Sequence, residues 1–151
     1  STVLEIGSGP GTDWQILNKI NTVTGSDNSI EFLKHLKGKY PQGEFLELDA
    51  VSLTTALRFD AIYSNKVLHH LKDAELKQSV IKQSKILNKN GIICHSFWKG
   101  EGSETFNGMF VNYQTENSLK KVFRPYFTIL LVEEYKEFED NDSLLIIGKK
   151  I

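Results

Sequence analysis

The chain has 151 residues, 40% of them hydrophobic and 25% charged, with a formal net charge of −1. That balance suits one globular domain over residues 1–151 with a sizeable core, and without a long basic run there is no electrostatic reason to expect nucleic acid. The lone Cys94 excludes an intramolecular disulfide, no apolar stretch reaches the roughly 20 residues of a membrane helix, and the pattern fits a reduced, cytoplasmic setting.

Val3–Ile6 reads as a short buried strand, followed at once by Gly7, Gly9 and Gly11. Asp13–Ile20 predicts a helix with Trp14, Leu17 and Ile20 inward. Residues 21–27, rich in β-branched side chains, predict a second strand. Residues 29–40 predict a helix capped by Ser29 and stopped by Pro41. Residues 44–50 and 59–65 predict two more strands. The helical spacing of Leu76, Val80 and Leu87 predicts a helix over 73–91, with Asn90-Gly91 as its stop, and 92–98 a fifth strand. Residues 99–114, with three glycines and several aromatics, read as a long loop of the kind used as lids. A short helix over 115–123, capped by Thr115, and two strands near 126–138 and 143–151 complete the chain. Alternating strands and helices predict an α/β fold, a mostly parallel sheet with helices on both faces and a C-terminal antiparallel hairpin.

The turn 7–11 joins a buried strand to a helix, where open α/β sheets bind ligands. Glycine permits positive φ and lets a ligand approach without a Cβ in the way. The spacing is G-x-G-x-G, and Thr12 stands where a dinucleotide site has its third glycine. Glu5, two residues before Gly7, would repel a pyrophosphate but suits an ammonium group.

"ExGxGxG" after a strand, here Glu5-Ile6-Gly7-Ser8-Gly9-Pro10-Gly11, resembles the first motif of the class I S-adenosylmethionine-dependent methyltransferases. The resemblance continues through "GSDNS", "LELDAVSL", "FDAIYSNKVLHHL" and "ILNKNGIICHSFW", and so covers nearly the whole chain. It implies a Rossmann-like seven-stranded sheet and S-adenosylmethionine as cofactor. It implies that Glu5, Gly7, Ser8, Gly9 and Gly11 hold the amino-acid end, and that Asp27 with Asn28 takes the ribose. Asp49 and the backbone of Ala50 would meet the adenine, and Ser64, Asn65 and Lys66 the methionine end. Related enzymes carry a helical segment before the first strand, so a missing N-terminal cover or an open site is implied.

A sulfonium already activates the methyl group, so the protein must chiefly position the acceptor, and a base is needed only if the acceptor loses a proton. His69 and His70 are the candidates for that base, and His70, Trp98 and Tyr113 for the acceptor wall. His95 reads as a hydrogen-bonded core residue and Cys94 as inert, and no metal-ligand spacing points to a zinc site. The bland alternatives stay open here: Asp27 and Asp49 as helix caps, Glu5 as half of a structural pair, Trp98 and Tyr113 as packing. Without a nucleic-acid-type acceptor motif or a basic face, a small molecule is the expected acceptor; a non-catalytic cofactor-binding module is the competing reading.

Overall fold

The computed structural model describes residues 1–151. A buried apolar run makes β1 (Thr2–Glu5), and the glycine turn leads into the short α1 (Thr12–Leu17). Then follow β2 (Thr22–Asp27), α2 (Ile30–Lys39), β3 (Glu44–Glu47) and β4 (Phe59–Asn65). The Ser29 side chain accepts the Phe32 N–H, the expected cap of α2. A 3-10 turn, Leu68–His70, separates β4 from α3 (Asp73–Ile86). Next come β5 (Leu87–Trp98), β6 (Ser103–Phe106), β7 (Met109–Asn112), α4 (Glu116–Phe123), β8 (Phe127–Tyr135) and β9 (Ser143–Lys150).

Seven strands form one sheet in the order β3-β2-β1-β4-β5-β9-β8. The first five of these run parallel, and β9 is antiparallel to both β5 and β8. Its two faces are covered differently. Val3, Val23 and Phe45 pack with Trp14 of α1 and with Leu33 and Leu36 of α2. On the other face, Leu4, Ile62, Ile93 and Phe97 pack against Leu76 and Val80 of α3 and Leu119 and Phe123 of α4. The alternation along each strand assigns the faces: Ala61 and Tyr63 lie toward α1 and α2, Ile62 toward α3 and α4. No helix is long and apolar enough to cross a membrane.

Three elements differ from the sequence reading. The helix α1 ends at Leu17, and Ile20 is 88% exposed instead of packing inward. The helix α3 ends at Ile86, and Asn90-Gly91 sits inside β5, where Asn90 takes φ 64° at a shift in register against β4. Residues 103–112 form a β6–β7 hairpin with Phe106 paired to Met109, and Asn107 (φ 50°) and Gly108 (φ 76°) making its turn. At the far edge of the main sheet, β8 slips past β9 at Leu130: Ile129 pairs with Gly148, but Leu131 pairs with Ile147.

Candidate functional site

The strand order turns back between β1 and β4, so the glycine turn opens at the carboxyl ends of the strands where the sheet changes direction. Gly7, Gly9 and Gly11 all take positive φ, at 70°, 52° and 91°. They serve different ends. A Cβ on Gly7 would lie 2.6 Å from Val67 Cγ2, and one on Gly11 would lie 2.8 Å from Leu36 Cδ2. A Cβ on Gly9 would meet nothing within 4 Å. Packing therefore demands the first and third glycines, while the second faces open space.

Two cavities meet at Gly7. One, of about 310 Å³, is lined by Ile6, Asp27, Phe32, Ala50, Val67 and His70 among others, with Asn28, Leu48 and Lys66 completing it. The other, of about 270 Å³, has no large apolar side chain in its lining and includes Glu5, Ser8, Gly9, Thr12, Asp13 and Asn65. Glu5 is 3% exposed, and its Oε1 has no hydrogen-bond partner. Burial pushes its carboxyl up to about 7; a Ser8 hydrogen bond opposes this, and Asp13 and Asp27 add to it. A carboxylate oxygen buried without a partner carries a desolvation cost that an entering cation would offset. The residues present thus fit an amino-acid ammonium group, with no basic side chain lining that cavity to hold a phosphate.

Asp27 clamps the glycine turn to α2. Its Oδ2 accepts the Gly9 N–H at 3.0 Å and its Oδ1 the Ser29 N–H at 2.9 Å. Each oxygen keeps a lone pair for a further donor from the larger cavity. Asp49 Oδ1 closes its own turn, accepting the Val51 and Ser52 N–H groups at 2.7 and 3.1 Å. Beside it the Ala50 N–H donates to no group of the chain. Asn65 is held from both sides: its Nδ2 donates to Asp13 Oδ2 at 3.1 Å, and its Oδ1 accepts from Ser96 Oγ at 2.6 Å. Asp13 also accepts the Tyr63 hydroxyl at 2.8 Å, which makes it a polar anchor of the smaller cavity that the sequence reading did not single out.

Several expected residues lie elsewhere. Ser64 is buried on the α3 side of the sheet, where its hydroxyl lies 2.6 Å from His95 Nδ1. Lys66, at φ 53°, lines the larger cavity, but its ammonium is engaged elsewhere. It donates to Glu137 at 2.5 Å and to Ser143 Oγ at 2.9 Å, 3.4 Å from the centre of the Trp98 ring. Trp98 also stacks on Phe138 at 6.0 Å, and the Tyr113 hydroxyl donates to Glu104, so neither aromatic lines the two cavities. Of the two histidines in the 3-10 turn, His69 is buried with Nδ1 unpartnered, and burial pulls it down to about 4. His70 reaches the larger cavity. Its Nδ1 lies 2.9 Å from the Phe110 carbonyl oxygen. A carbonyl only accepts, so Nδ1 carries the proton and Nε2 keeps a free lone pair. No cluster of His, Cys, Asp and Glu is placed to hold a metal ion.

Residues 3–91, more than half of the chain, match the methyltransferase domain family. The chain belongs to that family. Among curated relatives, an uncharacterized methyltransferase of Bacillus cytotoxicus is 35% identical over 96 residues, 60% of this chain and 44% of the relative. One of Bacillus cereus is 37% identical over 97 residues, with the same coverage of 60% and 44%. This methyltransferase domain therefore spans less than half the length of the curated relatives it matches.

Solved structures extend the likeness of fold to the whole domain. The 1,6-didemethyltoxoflavin-N1-methyltransferase of Burkholderia thailandensis, with bound 1,6-didemethyltoxoflavin and S-adenosylhomocysteine, superposes with a TM-score of 0.82 at 20% identity, covering 99% of this chain and 70% of that one. An N-methyltransferase of Bradyrhizobium japonicum in complex with S-adenosylhomocysteine gives a TM-score of 0.79 at 19% identity, covering 99% and 78%. The methyltransferase domain thus has the Rossmann-like methyltransferase fold, seven-stranded and closed by an antiparallel hairpin.

Proposed function

We propose that this methyltransferase domain, residues 1–151, binds S-adenosylmethionine across the two cavities and transfers its methyl group to a small-molecule acceptor. The observation that carries the reading is the unpartnered Glu5 Oε1 beside the open Gly9. A buried carboxyl oxygen that no group of the chain satisfies calls for a partner, and a bound ligand would supply it. Asp27 and the unengaged Ala50 N–H supply the matching acceptor and donor for a ribose and an adenine in the larger cavity. The small-molecule acceptor is supported by the solved relative that holds 1,6-didemethyltoxoflavin.

When bound, the cofactor supplies a methyl group activated by a sulfonium. The chain's part is positioning and proton management. His70 is the residue fitted to receive a proton from an acceptor hydroxyl or amine, because the Phe110 carbonyl holds its Nδ1–H and leaves Nε2 basic. His69, pulled down to about 4 and buried, is the poorer base. With a turned-over acceptor in hand, His70→Gln should lower kcat by about 100-fold or more while leaving S-adenosylhomocysteine affinity within about threefold. A kcat equal to wild type would assign His70 to packing.

The cofactor reading is tested by calorimetry with S-adenosylhomocysteine, with NADH as comparison. Micromolar-range binding of the first alone is expected. Gly9→Val should abolish it, since the side chain enters the groove and touches nothing else, at a strain of about 1–2 kcal/mol for a non-glycine residue at positive φ. Unchanged affinity in a folded Gly9→Val protein would refute this placement.

A further inference from the structure

The core between the sheet and α3 is apolar except for one polar seam. It begins at Ser64 on β4, passes through His95 on β5 and Gln83 and Ser79 on α3, and ends on the Ala50 carbonyl oxygen. The successive distances are 2.6, 2.6, 3.1 and 2.6 Å. All four side chains are buried, three of them completely.

The direction of every hydrogen bond follows from the far end. The Ala50 carbonyl accepts, so the Ser79 hydroxyl donates to it. Ser79 Oγ then accepts from Gln83 Nε2, which leaves Gln83 Oε1 as an acceptor. His95 Nε2 must therefore carry the proton, and its Nδ1 accepts the Ser64 hydroxyl. Burial keeps His95 neutral, which this arrangement requires. Every polar side-chain atom of the seam has at least one partner, and the directions agree from end to end.

A fully apolar core would hold α3 on the sheet as well, since buried polar groups at best offset their own desolvation. What the seam adds is a fixed point on the loop after β3. That loop lies outside any strand or helix, and Ala50 is the residue whose N–H is unengaged and which lines the larger cavity. Pinning the Ala50 carbonyl into the core fixes the peptide plane that follows Ala50, and with it the position of the Cα that joins this plane to the one carrying the N–H. We propose that Ser79 is a positioning residue for adenine recognition, with Gln83 and His95 orienting its hydroxyl, so that the Ala50 N–H is aimed at a ring nitrogen acceptor. The proposal rests on the cofactor reading above and adds to it the residue behind the site that sets base selectivity.

The test compares S-adenosylhomocysteine with its hypoxanthine analogue, S-inosylhomocysteine, by calorimetry. Of the ring nitrogens that accept in adenine, N1 carries a proton in hypoxanthine, so an N–H aimed at N1 rejects it. Wild type should therefore prefer the adenine ligand by about 10-fold or more. Ser79→Ala, a small change in a folded helix, should weaken the adenine ligand by about 10-fold while leaving the hypoxanthine analogue within about twofold, so that the preference collapses. Gln83→Leu keeps the Ser79–Ala50 contact but frees the hydroxyl to rotate, and should lose part of the preference. If Ser79→Ala leaves the preference unchanged, or weakens both ligands equally, Ser79 only holds the fold and the proposal is overturned. If wild type binds neither ligand, the cofactor reading falls and this proposal with it, whereas an unmoved preference on top of intact binding removes the proposal alone.

Discussion

Glu5→Gln should yield a protein more stable than wild type at pH 8 yet unable to bind S-adenosylhomocysteine tightly. The sign follows from where the carboxyl titrates. In the unfolded chain it ionises at its ordinary value of 4.5, and burial raises it in the fold to about 7. Between those values the native state holds a proton that the unfolded state has released, so rising pH favours unfolding. The stabilising contribution of the protonated acid is complete below pH 4.5 and gone above 7. Glutamine is neutral throughout and escapes that loss, a gain of about 3 kcal/mol at pH 8 that shrinks toward zero near pH 4.5. Denaturant unfolding at pH 5 and pH 8 measures it. Binding reads the other side of the same group. At pH 6.5 wild type should release part of a proton on taking up an ammonium, visible as a buffer-dependent heat in calorimetry, and Glu5→Gln should release none and bind at least tenfold more weakly. Equal stabilities at pH 8 would show that Glu5 carries no burial cost, and proton release unchanged in the variant would show that it does not meet the ammonium.

Asp27→Ala should cost about 100-fold or more in affinity for S-adenosylhomocysteine. The alanine removes the acceptors meant for the ribose, and it also releases the Gly9 and Ser29 N–H groups that the carboxylate now holds. Loosening that clamp should lower stability by about 1–2 kcal/mol, the usual cost of losing a capping acceptor. Asp27→Asn separates the two effects, because an amide oxygen still accepts one N–H but brings no charge. It should recover most of the stability and little of the affinity. Binding within threefold of wild type in Asp27→Ala would leave the carboxylate as a loop clamp and nothing more.

The glycine turn, Asp27 and the switch point of the sheet were legible because each is a local device: a strand, a backbone that needs glycine, an acid at a strand end. The boundary at Ile86 was not. Asn90-Gly91 carries the composition of a helix stop, yet the positive φ of Asn90 serves a bulge inside β5, and pairing with β4 decides which. The β6–β7 hairpin has a local signal of its own, since Asn107-Gly108 between Phe106 and Met109 is the residue pair a two-residue turn asks for. Ser79 and Gln83 lay beyond reach in principle. Nothing in a helix sequence says that two polar residues four apart will meet a histidine from a strand and a carbonyl from a distant loop. The same holds for Lys66, whose place after β4 suggests the groove, while Glu137, Ser143 and Trp98 draw its ammonium away.

The slip in β8 at Leu130 bears on how copies of this domain behave when crowded together. An outermost strand offers a ladder of unpaired N–H and C=O groups that another chain can extend, and Leu130 and Leu131, 54% and 39% exposed, would reward such pairing. The extra residue kinks that ladder at its middle, and Glu133 and Glu134 charge the stretch beyond it. The shifted register and the two carboxylates make this edge a poorer template for an eighth strand than an unbroken apolar one.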